Sequence, residues 1–218
     1  FSIQPLLVGG SPFDTTSIYG LIHYLERAYG IYFAMGGTGR LVTELRHLMT
    51  RNGIKLQTNT TVDEIIFSGR RATGVKLENG ATIATEHVVF SGDPMYLYRH
   101  MIPETKIPFS TKIKRDNSKL SMGLYVLFFG SARQYPDVAH HTIWLGNRYK
   151  GLLDDIFHRQ ILVEDFSLYV HRPTATDPTF APDGHDSFYV LAPVPHQGAK
   201  IDWLIEEPKL RIRIIDAL

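Results

Sequence analysis

One ordered run, residues 36–94, constrains this chain more than anything else in it. It opens with Met35-Gly36-Gly37-Thr38-Gly39, whose three glycines permit backbone conformations and close approaches that a side chain would block. Residues 40–52 then read as a helix, with Leu41, Val42, Leu45, Leu48 and Met49 on one face and Arg40, Glu44, Arg46 and Arg51 largely off it. Gly53 stands where a left-handed C-cap is expected. Short strands are predicted over 54–57 and 61–66, followed by a turn at 68–71. A further strand over 72–77 ends at Asn79-Gly80, the strongest short-range hairpin signal. Residues 81–85 return, and His87-Val88-Val89-Phe90 is apolar enough to predict a buried, parallel strand. Each piece is ordinary, but their order and spacing together are hard to obtain by chance.

Upstream, residues 14–29 read as a helix with Ile18, Leu21, Ile22 and Leu25 apolar, and with Asp14, Thr15 or Thr16 available to cap it. Tyr19, Tyr24, Tyr29, Tyr32 and Phe33 form an aromatic series that suits either a core helix or a surface receiving a long apolar substrate. Downstream, residues 121–130 carry bulky apolar side chains on both alternating faces. Met122, Leu124, Val126 and Phe128 oppose Tyr125, Leu127 and Phe129, which predicts a strand covered on both sides. Residues 141–146, 165–171 and 187–194 are further strand candidates, and 150–160 an intervening helix. The stretch 172–187, with Pro173, Pro178, Pro182 and Gly184, is expected to be irregular, and 208–218 reads as a helix opened by a first-turn Pro208. The expected fold class is mixed α/β, in three stretches: 1–35, 36–94 and 95–218.

With 44% hydrophobic and 21% charged residues, the 218-residue chain can build a core and is not a disordered polymer. Its formal charge of +1, from 23 basic and 22 acidic residues, gives no electrostatic reason for a nucleic-acid partner. The basic cluster Lys106, Lys112, Lys114, Arg115 and Lys119 is expected to be a solvated loop. Absence of cysteine excludes disulfides and thiolate chemistry from this segment. No apolar run approaches the ~18 residues of a membrane span. The chain opens at Phe1 and stops within a helical pattern, so it reads as a segment cut at both ends.

Constellations for catalysis are sparse. His140 and His141 are adjacent, and alternation along a strand would send them to opposite faces, so no metal site is expected. Asp154 and Asp155 diverge by about 100 degrees on a helix and are expected on an exposed face. His171, His196 and Asp165 flank the apolar strands and are possible acid-base groups, though spacing selects none of them. No Gly-x-Ser-x-Gly elbow supports a hydrolase.

Several longer motifs support a resemblance. Pro5-Leu6-Leu7-Val8-Gly9-Gly10-Ser11-Pro12-Phe13, Gly36-Gly37-Thr38-Gly39, Leu127-Phe128-Phe129-Gly130, Ala139-His140-His141-Thr142, Glu164-Asp165-Phe166-Ser167-Leu168-Tyr169 and Tyr189-Val190-Leu191-Ala192-Pro193-Val194-Pro195-His196 closely resemble bacterial-type phytoene desaturase. The Gly-Gly helix unit is shared with the wider flavin-containing amine oxidase superfamily. The resemblance implies an oxidoreductase whose Rossmann-like FAD-binding domain, continued by 36–94, is interwoven with a substrate domain built on an antiparallel or mixed sheet. It implies FAD as cofactor and phytoene, desaturated toward lycopene, as substrate. It further implies a cytoplasmic protein bound to the membrane surface, with oxygen or a quinone as electron acceptor. Val62 matches the position whose backbone contacts the FAD adenine in similar flavoproteins, and Ser91 the region that approaches the cofactor. The family's Gly-x-Gly-x-x-Gly turn, C-terminal Gly-rich segment and candidate acid-base residues are expected outside this chain. A related flavin-dependent isoprenoid or retinoid saturase, and a noncatalytic lipid-binding module, are the competing expectations.

Overall fold

The computed structural model describes residues 2–218. In chain order its principal elements are α1 (Ile3–Leu7), α2 (Gly20–Tyr29), α3 (Gly37–Arg51), β1 (Val62–Ser68), β2 (Arg71–Leu77), β3 (Thr82–Ala84) and α4 (Pro94–Tyr96). They continue with α5 (Phe109–Asp116), β4 (Gly123–Ser131), β5 (His141–Trp144), α6 (Tyr149–Asp154), β6 (Leu168–His171), β7 (Asp186–Val194) and α7 (Trp203–Ala217). Two compact units result: residues up to Leu45 together with Leu120–Leu218, and Arg46–Lys119.

The larger unit is organised by a four-stranded antiparallel sheet in the order β4-β7-β6-β5. β7 alternates buried and half-buried residues along its whole length, so Phe188, Val190, Ala192 and Val194 share one face. Leu168 and Val170 of β6 join that face, and Leu210 and Ile214 of α7 cover it. Trp203, Glu207, Leu210 and Ile214 recur at helical spacing, which gives α7 its inward stripe. Asp202 caps the helix by accepting the Leu204 N–H at 3.1 Å. The Tyr125 hydroxyl donates to Glu207 at 2.6 Å and ties β4 to the same helix; burial, then this carboxylate, raises the phenol to about 12. A smaller cluster of Leu152, Leu153 and Ile156 packs with Leu6, Met122 and Tyr149.

The smaller unit is built on the antiparallel meander β1-β2-β3. Its β2–β3 turn forms at Asn79-Gly80 as expected: Gly80 adopts φ +84° and the Ala81 N–H donates to Asn79 Oδ1 at 3.0 Å. The basic cluster is only partly a loop, with Lys119 exposed in an irregular stretch. Lys112, Lys114 and Arg115 lie in α5, and Glu104 accepts from Arg115 at 2.7 Å and pairs with Lys112 at 3.1 Å. Lys106 meanwhile donates to the Gly69 carbonyl at 2.6 Å.

Several expectations are corrected. Residues 54–57 and 87–90 form no strand, Val89 is 95% exposed, and the described strand pairings are all antiparallel. A buried parallel strand needs neighbours on both sides, and no described strand pairs with 87–90. The Rossmann-like parallel sheet is therefore not visible in this segment. Strand β4 is covered on one side only, because Leu124, Val126 and Phe128 stand open opposite α7. The last helix begins at Trp203, so Pro208 sits inside it and not in its first turn. Asp155 is buried, paired with Arg148 at 3.1 Å and Arg159 at 3.3 Å, whereas Asp154 is half-buried. The aromatic helix is not a core helix: Tyr24, Tyr29 and Tyr32 are largely exposed. No helix among the described residues is long and apolar enough to cross a membrane.

Because Ile214 is fully enclosed between α7 and the sheet, shortening it tests this core. Ile214→Val is expected to cost about 0.5–1.5 kcal/mol and Ile214→Ala about 2–5 kcal/mol in urea unfolding of the protein carrying this chain. Equal, negligible losses would place the core elsewhere.

Candidate functional site

The alternation that buries one face of the four-stranded sheet fixes the other. Ser187, Tyr189, Leu191 and Pro193 of β7 point away from α7, and the register aligns Phe128 with Tyr189, Val126 with Leu191 and Leu124 with Pro193. Across β7 and β6, Tyr169 pairs with Leu191 and His171 with Tyr189; across β6 and β5, Ile143 pairs with Tyr169 and His141 with His171. These residues form one open wall. At one end, α1 and Tyr149 roof a groove of about 180 Å³ lined by Leu6, Leu7, Leu124, Ile143, Leu168 and Leu191. At the other, an open cavity of about 760 Å³ is lined by Phe33, Phe128, His141, His171, Phe180 and Tyr189. Tyr169 lines both.

The wide end is aromatic and holds the polar groups. The His171 ring stacks on Tyr189 with centroids 4.4 Å apart, and Phe33 meets His140 edge-on at 4.7 Å. The Tyr169 hydroxyl is 2.5 Å from His141 Nδ1 and 3.2 Å from His171 Nδ1. Burial, reinforced by His140 and His141, pushes His171 down to about 4. Burial likewise lowers His140 and raises the Tyr169 phenol above its ordinary range, with Tyr189 adding to the latter.

Two buried carboxylates support this end. Asp186, at the start of β7, accepts from Arg172 Nη1 at 3.1 Å, from the Tyr135 N–H at 2.7 Å and from the Thr174 hydroxyl. Burial alone would raise its pKa, but the Thr174, Tyr135 and Arg172 contacts together hold it below the usual carboxylate range. Asp177 accepts the Thr179 hydroxyl at 2.6 Å and the Gly36 N–H at 2.7 Å, so one carboxylate joins the loop after β6 to the loop before α3. Gly37 must be glycine: its φ is +74°, and a Cβ there would lie 2.6 Å from the Phe180 ring.

The expected residues are placed unequally. His171 is at the wide end, whereas Asp165 accepts the Arg148 N–H at 3.1 Å and braces a loop. His196 binds the Gly198 N–H at 3.0 Å beyond the far end of β7, roughly 20 Å along the strand direction from Tyr189. His140 and His141 do not diverge. β5 begins at His141, so His140 lies in the preceding bend, free of strand alternation, and the two ring centroids are 4.5 Å apart. Val62 is half-buried on the edge strand β1, and Ser91 is exposed in an irregular stretch; both belong to the smaller unit. Sequence reasoning missed Tyr169, Tyr189, Asp177 and Asp186. The i, i+2 spacing of Tyr169 and His171 was the available signal for the first, but the carboxylates have partners 51 and 141 residues away, which no local pattern reveals.

Removing one partner from the Asp186 network leaves Arg172 buried without its counter-charge. Asp186→Ala is expected to cost about 3–5 kcal/mol at neutral pH. Since the folded pKa lies below the unfolded one, the native carboxylate's contribution is present above about 3.9 and lost as pH falls through its lower folded value. Urea midpoints of parent and variant should therefore converge on acidification; a gap unchanged down to strongly acid pH would remove the carboxylate from this role.

No family model matches the chain. It is 44% identical over 219 residues to the phytoene desaturase (lycopene-forming) of Pseudescherichia vulneris, and 47% identical over 219 residues to the enzyme of the same name from a Paracoccus species. Each alignment takes in 100% of this chain and 44% of the relative. It is also 40% identical over 223 residues to the phytoene desaturase (neurosporene-forming) of Rhodobacter capsulatus, covering 100% of this chain and 43% of that protein. The chain thus spans less than half the length of these curated relatives. Identity at this level from one end of the chain to the other makes it a segment belonging to the bacterial-type phytoene desaturase family.

Proposed function

We propose that the protein carrying this chain desaturates phytoene toward lycopene with FAD, and that the open wall of the four-stranded sheet forms one side of its hydrocarbon path. The observation that carries this reading is chemical. The narrow groove is lined by aliphatic and aromatic side chains, with Ser167 and two tyrosine hydroxyls as its polar groups. A polyene hydrocarbon offers no hydrogen bonds, so a wall that binds it gains from apolar contact and loses wherever it strips water from a polar group. Phytoene resides in lipid, and a membrane surface is the source from which such a groove would be loaded.

The residues present fit a flavin nucleotide at one point. Val62 lies on an edge strand, so one side of its main chain is left unpaired by the sheet and is available to an adenine; Ser91 is exposed in an irregular stretch. FAD, when bound, supplies the two-electron acceptor for the hydride, with oxygen or a quinone taking the electrons onward. This chain's own part is to bind and orient the polyene and exclude water. His171 is a poor candidate for the base that takes the accompanying proton. A base working near neutral pH is most effective with a pKa close to that pH, and His171 sits far below it, at about 4. Following the family resemblance, we assign the proton acceptor to residues outside this chain.

The full-length protein, added with FAD to phytoene-loaded liposomes, should yield a lipid extract with new structured absorption at longer wavelength. A colourless extract from flavin-loaded protein would overturn the reading. Val126→Asp, which puts a charge on the open wall, should slow conversion at least about tenfold with the circular dichroism spectrum unchanged. An unaffected rate would move the hydrocarbon path off this wall.

A further inference from the structure

Three imidazoles meet at the wide end of the wall. His141 and His171 are register partners across β5 and β6, and His140 reaches them from the bend before β5. One ring nitrogen of each lies within 4.8 Å of one ring nitrogen of each of the others. The rings are also held from outside. His140 Nδ1 is 2.5 Å from Thr176 Oγ1, and the Tyr169 hydroxyl serves His141 and His171. Outer contacts of this kind fix ring orientation in histidine metal sites.

A second observation points the same way. His140 Nε2 is buried and has no hydrogen-bond partner. Buried polar atoms are nearly always paired, and an orphan in a native fold calls for an explanation such as an ion. The nearby positive charge does not forbid one, because the Arg172 guanidinium is paired with Asp186.

We propose that His140, His141 and His171 form a site for a divalent first-row transition-metal ion, zinc above all. Three nitrogen ligands, with no carboxylate or thiolate among them, favour zinc, copper, nickel or iron over magnesium or calcium. A Zn–N distance of about 2.0–2.1 Å sets tetrahedral ligands about 3.3 Å apart, so the rings must draw together. His141, exposed to solvent, is the ring that makes that movement, its contact with Tyr169 adjusting with it. Three ligands leave a fourth coordination position, and His141 and His171 both border the open cavity, so that position faces a space able to admit water or a small anion.

The test is a Co²⁺ titration of the tag-free, full-length protein after chelator treatment, followed by visible absorption and by displacement with Zn²⁺. One equivalent with the intense bands of a tetrahedral cobalt centre, displaced by zinc, is the expected result. His140→Ala and His141→Gln should each weaken binding more than Tyr169→Phe, for which a loss of about 10–100-fold is expected from the outer contact alone. His185→Ala and His196→Ala should leave affinity unchanged. His141→Gln alters an exposed side chain, so its fold is retained and its result is decisive. Binding that survives His141→Gln at parental affinity, or that amounts to weak multiple occupancy without the cobalt bands, overturns the site. Since the titration requires neither flavin nor polyene, its failure is distinct from any failure of the desaturase reading.

Discussion

The burial of Phe188, Val190, Ala192 and Val194 against Leu210 and Ile214 is the interaction from which the larger unit follows. A strand has a period of two, so sealing one set of side chains under α7 commits the alternate set to the opposite surface. A slip of one residue in β7 would exchange Tyr189 and Leu191 for Val190 and Ala192 on the open wall. The core is thus also the device that positions the candidate site, and the residues of the open wall inherit their placement from contacts they do not make.

That wall is graded along its length. One end is aliphatic and narrow; the other is wide, aromatic and equipped with imidazole and phenol groups. The polar end needs support that the apolar end does not, because buried hydrogen-bonding groups must find partners or pay a desolvation penalty. Asp186 and Asp177 provide it from behind, by fixing Arg172, Thr174, Thr179 and the Gly36 turn. Each carboxylate serves several donors, and such charge-assisted bonds are stronger than neutral ones.

Much of the secondary structure was legible in the residues. The glycine-led helix, the Asn79-Gly80 hairpin and the four apolar strands depend on local chemistry, which a sequence carries openly. What escaped was non-local. Whether β4 is covered on one face or two is decided by what packs there, and alternating bulk on both faces says only that both could be covered. The stretch around Val89 is apolar but lacks strand partners among the described residues. The meeting of His140 with His141 turned on a single boundary: the strand starts one residue later than divergence would require. Asp155 was misjudged because Arg148 and Arg159 gather around it from both sides, a packing result that helical angle alone does not contain.

The bond between Gly36 and Asp177 has a consequence for how the chain acquires this structure. It joins residues 141 apart in sequence, and the unit it closes is interrupted by the whole of Arg46–Lys119. At synthesis rates of about 5–20 residues per second, the Gly36 amide emerges roughly 7–28 s before the carboxylate that will hold it. The intervening meander is built from neighbouring strands and has its partners at hand early. The Gly36 turn must therefore wait, with its amide unclaimed, until the loop after β6 exists to receive it.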